Sequence, residues 1–160
     1  MASNYTPEQQ DIITGARKEF KRELRRWGRY LVNGEWATTE RIISGFDPGD
    51  PAQGYAGSAE EGTLEFTRLK NGNLKAELSM SHVVDKTPLV QEFIVALDPY
   101  RHTFTGIGGI RNGSSVANEW TVSGSFDPKR GVLDWSDQGP GVGTLAGTAL
   151  IRTWGFVDVC

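Results

Sequence analysis

Nine residues have types and spacings suited to work inside a small cavity. In the run Leu74-Lys75-Ala76-Glu77-Leu78-Ser79-Met80-Ser81-His82, an extended backbone puts Leu74, Ala76, Leu78, Met80 and His82 on one face. With that face inward, His82 reaches the rim as a general base or as a hydrogen-bond partner for a ligand. A solvent-facing histidine at a strand end fits the same pattern. Leu64, Phe66 and Arg68 share a second face, which brings Arg68 to a rim, where a guanidinium would hold a carboxylate or enolate or simply be a surface charge. Trp120 and Trp135 fall in neighbouring extended segments; indoles turned inward would give flat walls to an aromatic ligand, or fill the core.

Three function classes follow. The first is a binder that holds a small hydrophobic or aromatic molecule between Phe66, Leu78, Met80, Trp120 and Trp135. The second is a cofactor-independent cyclase or isomerase acting on a natural-product-like substrate in the same space. It needs mainly shape, exclusion of water and one or two acid–base groups, for which His82, Arg68, Glu92 and Tyr100 are the candidates. The third is a protein-interaction module that uses a basic helix or exposed strand edges, a homodimer included. A filled interior with no cavity would eliminate the first two classes. An inward polar group with a perturbed pKa would favour the enzyme.

Other chemistries lack their residues. Two histidines and one cysteine cannot make a histidine- or cysteine-rich metal site. No Gly-x-Ser-x-Gly elbow is present and no dinucleotide fingerprint follows a strand, so neither a metal nor a cofactor is expected. Gly106-Ile107-Gly108-Gly109 lacks the lysine and the strand-to-helix setting of a phosphate loop and reads as a bulge or a sharply coiled strand.

These residues must be positioned by a helix and a set of strands. Thr6-Pro7-Glu8-Gln9 carries a cap, a proline at the first helical position and a glutamine three residues after the cap. Ile12, Ile13, Ala16, Phe20, Leu24, Trp27 and Leu31 then form one apolar stripe. The spacing predicts an amphipathic helix over 6–30, weakened or ended near Gly28, with its stripe packed on the body. From Trp36 the period becomes two. Eight strands are predicted, over 36–43, 63–69, 74–82, 90–97, 102–107, 119–126, 132–137 and 144–156, separated by turns such as Lys70-Asn71-Gly72-Asn73 and Asn112-Gly113-Ser114-Ser115. Residues 46–61 are a long polar loop that suits a lid. Eight hairpin-linked strands leave exposed edges unless the sheet closes. The fold class is therefore mainly β, an eight-stranded antiparallel up-and-down barrel over 33–156 behind one N-terminal helix, all in one domain over 1–160.

Composition agrees with such a domain: 38% of residues are apolar, 23% are charged, and 20 are glycine. The net charge of −3 argues against a nucleic-acid partner. Within it, residues 1–30 hold seven basic and four acidic side chains. The helix is thus basic and the remainder acidic. Residues 1–5 show no secretory pattern, no stretch is apolar enough to cross a membrane, and the lone cysteine is Cys160; a cytoplasmic protein is the expectation.

Gly34-Glu35-Trp36, at the entry to the first strand, and Arg152, in the last, resemble the calycin superfamily of lipocalins and their relatives. There a Gly-x-Trp opens the barrel and a basic residue from the final strand stacks across the indole as a cation–π contact. The resemblance implies structural roles for Trp36 and Arg152 and a calycin-like barrel around a ligand. The helix before the barrel departs from most lipocalins.

Overall fold

The computed structural model describes residues 4–44, 59–81, 88–116, 119–139 and 143–154. Helix α1 spans Pro7–Asn33. Nine strands follow among the described residues: β1 Gly34–Ser44, β2 Ala59–Arg68, β3 Leu74–Ser81, β4 Pro88–Asp98, β5 Thr103–Asn112, β6 Ser115–Val116, β7 Trp120–Asp127, β8 Val132–Gly139 and β9 Gly143–Trp154. Each long strand pairs antiparallel with its neighbour in sequence, and β1 pairs along its length with β9. This last ladder closes an eight-stranded barrel and leaves no free edge among the long strands. β6 adds only a two-residue hairpin to β5.

The predicted period survives in three dimensions. Leu64 and Phe66 of β2 and Leu74, Ala76, Leu78 and Met80 of β3 are buried, while the odd-numbered residues between them are more exposed. β2 begins at Ala59, so residues 59–61 extend the sheet beside β1; residues 46–58 of the proposed lid lie outside the described residues. The glycine run in β5 does not bulge: Asp98↔Thr103 to Gln91↔Ile110 is one unbroken register. Instead the strands are tightly coiled there. A Cβ on Gly108 would lie 1.9 Å from the Glu92 carbonyl oxygen, so only glycine admits the close approach.

Two connections use the same chemistry. Asp98 accepts from the Tyr100 and Arg101 amides, and Asp127 accepts from those of Lys129 and Arg130. Each Asp-Pro turn ends on a left-handed residue, His102 (φ 56°) in one case and Gly131 (φ 65°) in the other.

α1 is capped by the reciprocal Thr6–Gln9 hydrogen bonds expected of its opening sequence. It does not weaken at Gly28, which is buried within the helix. The stripe does not pack along its whole length either. Trp27, Tyr30 and Leu31 are buried, whereas Ile12 is 72% and Phe20 41% exposed. The first half of α1 projects beyond the barrel, and only the last two turns plug it. There the chain enters β1 with no intervening loop. The Trp36 indole N–H donates to the Leu31 carbonyl at 3.1 Å, satisfying one of the acceptors that a helix C-terminus leaves open. Trp36 packs edge-on against Tyr30. Arg152 falls at the irregularity where the β1–β9 register shifts between Glu35 and Trp36; its side chain lies outside the described residues. No helix of the described residues is long and apolar enough to cross a membrane.

Candidate functional site

The barrel has two unlike ends. One holds α1 and the short turns after β2, β4 and β7. The other holds the ends of β1, β3, β5 and β8, and most of its connections lie outside the described residues. Between them, the inner face of β8 reads Leu133, Trp135, Asp137, Gly139, and that of β1 reads Trp36, Thr38, Glu40. Strand alternation therefore turns two carboxylates into the interior along with the apolar residues.

Barrel closure brings these faces together. The register aligns Trp135 with Gly147 on β9, and Gly147 with Glu40 on β1. A Cβ on Gly147 would lie 2.1 Å from the Trp135 ring, so the indole crosses β9 only because this position is glycine. Its N–H then donates to Glu40 Oε2 at 3.1 Å, a buried bond between residues 95 apart in the chain. Trp120 does the same one step nearer the mouth. Its indole lies against Gly139, where a Cβ would meet the ring at 2.5 Å. Asp137, at the inward position between Trp135 and Gly139, is thus bracketed by two indoles.

Asp137 is completely buried, and neither of its carboxylate oxygens has a well-formed hydrogen bond, although Glu40 and the Trp135 indole lie close enough to interact with it. Burial pushes its pKa up to about 6, against the opposing pull of Glu40 and the Trp135 indole beside it. Gln91, on β4 in the same half of the barrel, is 2% exposed and its Oε1 accepts nothing. Buried acceptors of this kind cost about 1–3 kcal/mol each when left unmatched, so this half of the interior carries unused polar capacity.

The rest of the interior is apolar and nearly full. A void of about 20 Å³ remains between Phe66, Leu78, Phe93, Val95, Phe104 and Trp135. That is about the room a single water needs, far below the roughly 300 Å³ or more of a drug-sized pocket. Among the described residues the interior thus holds no ready-made ligand cavity, which counts against both cavity readings unless side chains such as Trp120 and Met80 move.

The residues singled out in the sequence are not all brought together. Phe66, Leu78, Met80, Trp120 and Trp135 are buried in the interior. Arg68 is exposed at the helix end and donates to the Arg25 carbonyl at 3.5 Å. Glu92 faces outward, bound to Arg111, which also binds Glu77. Tyr100 is exposed on the β4–β5 turn beside Phe20, with ring centroids 6.0 Å apart. His82 lies outside the described residues. Sequence reasoning passed over Glu40, Gln91 and Asp137, although Glu40 is in phase with Trp36 and Asp137 with Leu133 and Trp135. Among the described residues, no group of three His, Cys, Asp or Glu side chains could hold a metal ion.

No protein-family model matches the sequence, and no curated protein matches it. Solved structures do match. One is a biogenic amine-binding protein, determined as its selenomethionine derivative, with a TM-score of 0.53 and 14% identity over 81% of this chain and 67% of that one. A likeness at this identity concerns the fold alone, here a closed eight-stranded antiparallel barrel.

Proposed function

We propose that the protein binds a small molecule with a hydrophobic or aromatic body, taken in through the end of the barrel opposite α1. The supporting observation is Asp137: a fully buried carboxylate without a well-formed hydrogen bond, held between the indoles of Trp120 and Trp135. An unmatched buried acceptor lowers stability, and a ligand that fills its hydrogen-bonding capacity recovers that loss. In this reading Trp120, Trp135, Met80, Leu78 and Phe66 supply the apolar contacts. The amine-binding protein that shares the barrel supports ligand binding as a use of this architecture.

A cofactor-free cyclase or isomerase is the second reading. It is favoured by the pKa of Asp137, about 6, which suits a proton donor near neutral pH. On this reading Asp137 is the first acid to test, ahead of His82, Arg68, Glu92 and Tyr100.

Native mass spectrometry of protein purified from its own host tests binding directly. A co-purifying small molecule that is released on denaturation is expected. An empty protein whose tryptophan emission does not respond to a panel of hydrophobic dyes would overturn the binding reading.

A further inference from the structure

We propose that the inner acidic site selects a protonated amine carried on an apolar or aromatic body, an inference that rests on the binding reading above. The buried polar and charged residues among those described are Thr38, Glu40, Gln91 and Asp137. None is a cation. The atoms left without partners at Gln91 and Asp137 are all acceptors: Gln91 Oε1, Asp137 Oδ1 and Asp137 Oδ2. The Trp135 indole N–H, a donor within reach, is already given to Glu40. The unmatched atoms there are thus acceptors with no buried cation among the described residues, and an ammonium group brings both charge and donors, with up to three N–H groups and no acceptor of its own.

Other ligand chemistries fit less well. A carboxylate would face two carboxyl groups in a low-dielectric interior. An alcohol offers one donor, leaves the charge uncompensated and adds an acceptor where acceptors are in excess. Trp135 precedes Asp137 on the inner face of β8, and the Trp120 ring lies over Gly139 beyond it. The apolar walls beyond, Leu78 and Met80 among them, suit the rest of the molecule.

The test compares three probes that share one skeleton: phenethylamine, 2-phenylethanol and phenylacetate. Each is titrated into the intact protein and followed by calorimetry and tryptophan emission. The amine is expected to bind at least about tenfold more tightly than the alcohol, as a charged hydrogen bond implies. Phenylacetate is expected to bind most weakly. Asp137→Asn should remove the amine's advantage and leave the alcohol unchanged, and Glu40→Gln should reduce it. Circular dichroism of each variant checks that the barrel is intact. Equal affinity for amine and alcohol, or an amine affinity that survives Asp137→Asn, overturns the amine assignment and leaves small-molecule binding standing. A host-derived ligand without an amine has the same consequence. A response to magnesium or calcium chloride that Asp137→Asn abolishes would replace the amine with a metal. If no probe binds and the host-purified protein is empty, both readings fall.

Discussion

The two ends of the barrel are both rich in aromatic residues, but among the described residues only the end opposite α1 buries carboxylates with them. At the helix end, Trp27 donates to Glu23 at 3.2 Å and Trp36 to the Leu31 carbonyl at 3.1 Å. Tyr30, with its pKa pushed up to about 12 by burial and by Asp127, stays neutral. His102 stacks on Phe126 and meets Trp27 edge-on. At the opposite end, indoles again crowd the interior, but there they flank Asp137, a buried carboxylate without a well-formed hydrogen bond. The contrast separates packing that stabilises from packing that leaves an interaction unmade. Satisfied polar groups close a core; an unsatisfied one in a closed barrel marks where stability has been set aside.

Variants at the two ends sharpen this contrast. The largest effect is expected at the plug. Leu31 is fully buried, and Leu31→Ala should lower stability by about 2–5 kcal/mol, read as a fall in Tm and denaturant midpoint. An unchanged Tm would mean that α1 does not close the barrel. Gly147→Ala comes next. The added methyl collides with the Trp135 ring, an overpacking cost of about 1–3 kcal/mol. It should also break the Trp135–Glu40 bond, seen as a shift in tryptophan emission.

Asp137→Asn should act in the opposite direction. The folded pKa of Asp137 is raised above the unfolded value, so the folded state binds its proton more tightly. The cost of ionising it is absent below the unfolded pKa near ~4 and grows as pH rises through the folded value. The asparagine variant should therefore be more stable than the parent at pH about 8, by on the order of 2 kcal/mol, with the gain disappearing toward pH about 4. A loss of stability at neutral pH would show that the carboxylate is satisfied in solution. The smallest effect belongs to Arg111→Ala on the outer face. Its ion pairs with Glu77 and Glu92 are partly exposed, so Tm should move least, and less still in about 0.5 M salt.

Much of the architecture was legible because its signals are local. The Thr6–Gln9 cap, the Asp-Pro turns and the period-two runs each depend on residues a few positions apart. The helix beyond Gly28 was less so, because tertiary burial overrides glycine's weak helix preference. The exposed first half of α1 was hidden for a related reason: an apolar stripe says which face is apolar, and not whether anything covers it.

For the site, alternation alone turns Glu40, Gln91 and Asp137 inward, but local sequence does not show whether a charged side chain in an inward position is buried or solvated at a rim. The sequence by itself determined a capped amphipathic helix, eight strands and the face on which each side chain lies, because those follow from backbone periods of 3.6 and two. Only the tertiary structure decided that the β1–β9 ladder sets Glu40 level with Gly147, that Gly147 lets Trp135 cross to it, and that Trp120 reaches Gly139 beside Asp137. Register between strands distant in sequence is a property of the closed sheet as a whole, and no local pattern encodes it.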